Sequence, residues 1–294
     1  MDEVDSRART TLRREGSIGF IQGRLSPLED GRIQAFPWSS WKDEFAIASA
    51  QGFRAMEWTL DHDPVRRNPL LTDSGRAEIR QISGRWGVRI PSLTGDCFMQ
   101  APFWKAQGSE RTALREEFQA VAGACSAIGI SIIVVPLVDH GRLDDDGQEN
   151  EFVSFMTAQT NFLRQSGVRV AVESDLPVRD LARLLDRLDP DIFGINYDIG
   201  NSAALGYDPA EEIAAYGKRI INVHVKDRTL GGTTVPLGTG HADFKVVFAQ
   251  LASVGYRGNY MLQTARASDG NHLGVLLNYR AMTLEWLKST VELA

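Results

Sequence analysis

Cysteine is scarce in this 294-residue chain, which has Cys97 and Cys125 and no other. Two thiols cannot staple a chain of this size, so a disulfide scaffold is excluded and a reducing compartment fits. No stretch approaches the roughly 18 apolar residues that a membrane-spanning helix needs, so no membrane partner is expected. The first fifteen residues hold no apolar run of the secretory type, which makes cytoplasmic the expected location. An excess of positive charge is missing too. With 32 basic and 38 acidic residues the formal net charge is −6, a poor match to a phosphate backbone, so no nucleic-acid partner is expected. No Gly-x-Gly-x-x-Gly follows the first strand-like run, which removes the main signal of a dinucleotide fold. Disorder as the main state is excluded by 43% hydrophobic and 24% charged residues.

Beyond a polar, charged segment at residues 1–16, read as a flexible N-terminal tail, short apolar runs recur. They begin near Ile18, Ala55, Arg89, Ile132, Arg169, Ile192, Ile220 and Gly258. Helical patterns lie between them: Trp41–Gln51, Ser109–Ile128, Glu151–Gln165, Val178–Leu188, Asp208–Tyr216 and Asp243–Val254. Gly52, Gly129, Gly167, Gly217 and Gly255 follow five of these as stop signals, and Asp208-Pro209 reads as an N-cap with proline in the first turn. Eight strands alternating with helices imply parallel strands with crossover helices. The size suits a closed α/β barrel, a (β/α)8 TIM barrel, formed by residues 17–294 as one domain.

Such a barrel places its chemistry at the C-terminal ends of the strands. The polar residues there are Glu57 after the second run, Asp96 after the third, Glu173 after the fifth and Asp198 with Asn201 after the sixth. The seventh ends in His224, Lys226, Asp227 and Arg228, and the eighth in Gln263 with Arg266 beyond. A Glu, an Asp, a His and a Gln at matching depth on four successive strands can converge, because adjacent strands lie about 4.8 Å apart. Glu173, Asp198, His224 and Gln263 therefore form a candidate set for a divalent metal ion, Mn²⁺, Mg²⁺, Co²⁺ or Zn²⁺. Glu57 is a candidate substrate contact or an ion-pair carboxylate. The glycine-rich stretch Gly231–Gly240 is either a phosphate-binding loop or a plain loop. Trp38, Trp58, Phe98, Phe103 and Trp104 are either an apolar wall beside a ligand or core.

The segments RVAVES, NYDIGNSAALGYDP, RIINVHVKDR and VPLGTGHADF resemble the sugar phosphate isomerase/epimerase branch of the xylose isomerase-like barrels. The resemblance runs from about Ile18 onward. It implies a metal held by Glu173, Asp198 and His224, with Gln263 where the family has a glutamate. Asn201 stands where its epimerases often carry a substrate-facing histidine. Arg228 corresponds to an arginine that meets substrate oxygens or phosphate, and Arg266 is placed to reach the same end of a ligand. A repair endonuclease also resembles this superfamily, but its three-metal chemistry uses many histidines, and this chain has five.

The resulting expectation is a metal-dependent isomerase or epimerase of a keto-sugar or sugar phosphate working through an enediolate. Glu173 is the candidate base, and Lys226 stabilises the oxyanion or donates a proton. Gln263 can coordinate through its oxygen but cannot act as a base. A second base would have to come from Glu57, Asp96 or His241. The alternatives are a keto-polyol (inositol-type) dehydratase and a catalytically silent carbohydrate-binding barrel. A homo-oligomer is compatible with barrels of this kind.

Overall fold

The computed structural model describes residues 17–290, so the segment 1–16 lies outside the described residues. Eight parallel strands close into a barrel: β1 Ile18–Ile21, β2 Met56–Thr59, β3 Ser92–Thr94, β4 Ile132–Leu137, β5 Arg169–Ser174, β6 Phe193–Asp198, β7 Ile220–Val225 and β10 Asn259–Leu262. The neighbours around it run β1-β10-β7-β6-β5-β4-β3-β2, which is the sequential order of a (β/α)8 barrel. A two-stranded antiparallel pair, β8 Asp227–Arg228 and β9 Thr234–Val235, decorates the loop after β7. Strands such as IIVVPL in β4 are buried along their whole length, as expected when both faces are covered.

The outer ring comprises α1 Asp43–Ala50, α2 Asp73–Trp86, α3 Asp96–Gln100, α4 Gly108–Ile128, α5 Asp146–Ser166, α6 Val178–Asp186, α7 Ile199–Leu205, α8 Pro209–Tyr216, α9 Phe244–Ser253 and α10 His272–Ser289. In α6 the buried Val178, Leu181, Leu184 and Leu185 recur at helical spacing and face the barrel. Asp145, Asp208 and Asp243 each cap a helix by accepting from a backbone amide of its first turn. Gly129 and Gly167 end their helices in the left-handed region, as read from the sequence. Gly217 does not: its φ is −56°, and the chain continues into a 3₁₀ turn that feeds β7 directly. Helices α2, α3, α7 and α10 are not legible as periodic patterns. Helix α2 buries just Gly75 and Ile79, which leaves almost no apolar stripe to read. Cys97 and Cys125 are buried free thiols. No helix among the described residues is long and apolar enough to cross a membrane.

One irregularity positions the site. Along β6 and β7 the pairing runs Ile195 with Ile220 and then Asn196 with Asn222, so Ile221 has no counterpart. This bulge brings Asn196 opposite Asn222 and Asp198 opposite His224. Gly194 makes room for it, since a Cβ there would lie 2.6 Å from the Arg219 carbonyl oxygen and 2.8 Å from Ile221 Cγ2. Gly194→Ala should lower the unfolding free energy by about 1–3 kcal/mol, the usual cost of overpacking. Urea denaturation measures this directly, and a loss below about 0.5 kcal/mol would show that the bulge yields without cost.

Candidate active site

Three ligand-type side chains meet at the C-terminal end of the barrel. Glu173 is the penultimate residue of β5, Asp198 ends β6 and His224 sits in β7, and one donor atom of each lies within 4.8 Å of the others. All three are buried. Each is aimed by hydrogen bonds of one connected network.

Asp198 is split between two tasks. Its Oδ1 accepts from the Asn201 amide at 2.8 Å and so caps α7, while Oδ2 faces the cluster. The helix start thus fixes the carboxylate's rotation. Glu173 is held by two carboxamides: Asn201 Nδ2 donates to Oε1 at 2.8 Å and Asn196 Nδ2 to Oε2 at 2.7 Å. Asn196 accepts in turn from Asn222 Nδ2 at 2.8 Å, a cross-strand contact set by the bulge.

His224 is oriented from below. Its Nε2 lies 2.7 Å from Glu57 Oε1, and the other Glu57 oxygen accepts from Ser92 Oγ at 2.6 Å and Asn222 Nδ2 at 2.9 Å. Glu57 is fully buried at this point. Of the two roles open to it from the sequence, substrate contact and ion-pair carboxylate, the geometry matches the second. Glu57 props the imidazole, because a carboxylate at Nε2 draws the proton there and leaves the Nδ1 lone pair directed at the cluster. Nδ1 is 3.2 Å from Glu173 Oε2 and 3.9 Å from Asp198 Oδ2, without the alignment of a hydrogen bond. Burial pushes the imidazole pKa down, but Glu57 and Glu173 on either side more than reverse this and carry it up to about 10.

A buried ring nitrogen with no hydrogen-bond partner, set among carboxylate oxygens, fits a divalent cation. The local charge fits as well. Three buried carboxylates, Glu57, Glu173 and Asp198, are offset by one cation, Lys226, which leaves two negative charges for a neutral His224. Lys226 Nζ donates to Asp198 Oδ2 at 3.2 Å, Asn201 Oδ1 at 3.0 Å and Gln263 Oε1 at 3.4 Å. A glycine at position 200 is needed for this, since a Cβ there would stand 2.7 Å from Lys226 Cγ. Gln263 thus joins the cluster through Lys226, while its Nε2 donates to Gln34 Oε1 at 2.9 Å.

Above the cluster opens a cleft of about 460 Å³. Glu173, Asn201, Lys226, Arg228 and Gln263 line it, together with Asp96 and Gln34. Asn201 spends both ends of its carboxamide inside the site, on Glu173 and on the two cations. Arg228 donates to Asn201 Oδ1 at 2.8 Å and to the Gly232 carbonyl. Arg266 is a different matter. Its guanidinium donates to the Gly23 and Ser26 carbonyls and stands outside the lining of the cleft, so in this structure it anchors the loop after β1.

Two alternatives left open by the sequence are narrowed. The four glycine amides of the loop after β7 are already engaged. Gly238, Gly240 and Ala242 donate to the Asp227 carboxylate at 2.8–3.2 Å, Gly231 to the Ala204 carbonyl and Gly232 to the Thr229 carbonyl. The loop is a structural clasp and not a phosphate cradle. Trp58, Phe98, Phe103 and Trp104 are packed in the core, and Trp38 lies against Phe36. None of the five lines the cleft. Gln34 escaped the sequence reading. It stands well beyond the end of β1 in an irregular loop, where no periodicity marks it.

A family model described as xylose isomerase-like TIM barrel matches residues 45–289. The L-ribulose-5-phosphate 3-epimerase UlaE of Salmonella paratyphi C is 24% identical over 257 residues, which cover 85% of this chain and 89% of the relative. Among solved structures, a xylose isomerase domain protein from Planctomyces limnophilus aligns with a TM-score of 0.74 at 15% identity, over 94% of this chain and 99% of that one. The IolI protein, solved with a binding zinc atom, aligns equally well, with a TM-score of 0.74 at 14% identity, covering 93% and 99% of the two chains.

The Glu57–His224 contact carries a prediction. Glu57→Gln should weaken Mn²⁺ binding about 10- to 100-fold, as is usual when a ligand's supporting carboxylate is lost. Isothermal titration reads the affinity, and circular dichroism should show the fold retained. An unchanged affinity would mean that Glu57 does not orient the imidazole.

Proposed function

This chain belongs to the xylose isomerase-like TIM-barrel family, and we propose that it is a divalent-metal-dependent epimerase or isomerase of a keto-sugar or its phosphate. The observation that carries this reading is the unpartnered Nδ1 of His224 facing Glu173 and Asp198 on adjacent strands, beneath a polar cleft. Glu173, Asp198 and His224 would hold the ion, with the Gln263 oxygen as a fourth donor. When bound, a divalent ion supplies Lewis acidity to a carbonyl and its neighbouring hydroxyl. The UlaE relative, an L-ribulose-5-phosphate 3-epimerase, agrees with this chemistry.

The chain's own groups divide the remaining work. Glu173 removes a proton from the carbon beside the carbonyl, positioned for this by Asn196 and Asn201. Lys226 sits where negative charge develops on oxygen as the enediolate forms, and its ammonium stabilises that charge. Arg228 offers further donors at the cleft wall. Buried walls around Glu173 and Asp198 exclude bulk water, which strengthens each of these interactions.

Proton exchange tests the reading. The Mn²⁺-loaded protein is incubated in deuterated water with L-ribulose 5-phosphate and a panel of ketoses, ketose phosphates and keto-inositols, and each is followed by NMR. Deuterium at one carbon together with a new sugar isomer is the expected result. Loss of water from a keto-inositol would instead show a dehydratase, and metal binding without exchange would show a silent binding barrel. Glu173→Gln should reduce exchange by about 10²- to 10⁴-fold with the fold intact; retained exchange would remove Glu173 as the base. Gln263→Glu should tighten Mn²⁺ binding, because it adds a carboxylate to the donor set, and an unchanged affinity would place Gln263 outside the metal's coordination.

A further inference from the structure

Inverting one sugar carbon requires a proton to leave from one face and another to arrive on the opposite face. On the reading above, Glu173 serves one face. Gln263, at the end of the eighth barrel strand, carries a carboxamide that neither accepts nor delivers a proton in water near neutral pH. The titratable side chains lining the cleft are Asp96, Asp139, Glu173, Asp175, Lys226 and Arg228. Asp139 is exposed at the rim, and Asp175 is partly exposed with Arg142 at 3.8 Å. Lys226 and Arg228 are cations tied to Asn201. Asp96 is the remaining group, buried at 8% exposure and held by neutral donors.

We propose that Asp96 is the second proton-transfer residue of this site, acting on the substrate face that Glu173 does not reach. The placement comes from the barrel order. The cluster of Glu173, Asp198 and His224 occupies the part of the mouth built by β5, β6 and β7. Asp96 follows β3, on the part built by β1, β2 and β3. Gln34 joins Asp96 to the end of β10, which lies between β7 and β1: its Nε2 donates to Asp96 Oδ2 at 2.7 Å, and its Oε1 accepts from Gln263 Nε2 at 2.9 Å. Asp96 is therefore wired to the strand end that lacks a carboxylate. Thr94 Oγ1 is 3.4 Å from the other oxygen. A substrate resting on the cluster would lie between Glu173 and Asp96.

The electrostatics agree with a proton carrier. Burial raises the Asp96 pKa to about 7, Asp61 and Glu173 add to this, and the Gln34 hydrogen bond and His224 oppose it. Arg24 is the other charged group whose field reaches it. A carboxyl poised near neutrality exchanges a proton with little cost in either direction.

The step balances without any co-reactant. Glu173 takes the proton, and the C–H electron pair enters the enediolate. Protonated Asp96 delivers its proton to the opposite face, and that electron pair becomes the new C–H bond as the carbonyl re-forms. Asp96 is left ionised and Glu173 protonated, and exchange with solvent resets both.

The test compares two rates in the Mn²⁺-loaded protein in deuterated water, beginning with L-ribulose 5-phosphate. In the wild type, deuterium enters one carbon and the epimer forms. In Asp96→Asn, exchange at that carbon should stay within about tenfold of wild type while epimer formation falls about 10²- to 10⁴-fold. Mn²⁺ affinity should stay within about threefold. Epimer formation within fivefold of wild type, a parallel loss of exchange and epimer, or a tenfold weaker Mn²⁺ site would each overturn the assignment. A second measurement needs no variant. Because the delivering carboxyl must be protonated, the wild-type ratio of epimer to exchange should fall about tenfold per pH unit above about 7; a flat ratio from pH 6 to 9 would also overturn it. Absence of any exchange in the wild type would sink the epimerase reading itself, and the Asp96 assignment with it, so the two failures are told apart.

Discussion

Burying negative charge without enough positive charge is the constraint around which this barrel mouth is organised. Glu57, Glu173 and Asp198 are all buried, and Lys226 neutralises one of the three. Desolvated carboxylates are tolerated only when paired, coordinated or hydrogen-bonded. Apart from Lys226 and His224, the side-chain hydrogen bonds come from Asn196, Asn201, Asn222 and Ser92, all neutral donors. They fix geometry but do not cancel charge. In the metal-free protein Glu57 and Glu173 raise the affinity of the His224 imidazole for a proton, which would partly fill the deficit. A divalent cation fills it completely, and the two compete for the same Nδ1.

The same network explains why features away from the chemistry matter. The bulge opposite Ile221 brings Asn196 level with Asn222 and Asp198 level with His224. From there hydrogen bonds link His224 to Glu57, Glu57 to Asn222, Asn222 to Asn196 and Asn196 to Glu173. Displacing one member shifts the others, because each side chain is both positioned by its neighbour and positioning the next. The start of α7 adds a rigid support, since the Asp198 cap ties the carboxylate to a helix axis. Asn201 couples Glu173 to the two cations of the loop after β7, so the base and the positive wall of the cleft share one anchor.

Much of this was legible in the sequence, for a physical reason. Buried parallel strands are nearly pure apolar runs, so a charged or amide residue ending each one stands out. Glu173, Asp198, His224, Lys226 and Gln263 were found that way, and the structure gathers them at one end of the barrel. Roles set by long-range contact were not legible. Glu57 reads as a cleft residue because it ends a strand, but its partner His224 lies 167 positions away. Arg266 reads as a ligand contact, but its carbonyl partners belong to the loop after β1. The glycine-rich loop reads as a phosphate site until Asp227, 11 to 15 residues earlier, is seen to take its amides. Helix α2 is hard to read because it buries just Gly75 and Ile79, and α10 because its apolar residues are spread round the helix and form no single stripe.

The central claim is that Nδ1 of His224, Glu173 and Asp198 form a divalent-metal site held in register by Glu57. Crystals grown with Mn²⁺ and measured at its absorption edge would test it most directly. The account predicts one anomalous peak within bonding distance of His224 Nδ1 and oxygens of Glu173 and Asp198, with Nε2 still on Glu57. A peak at another site, a peak on Nε2, or an empty cluster at saturating Mn²⁺ would contradict it.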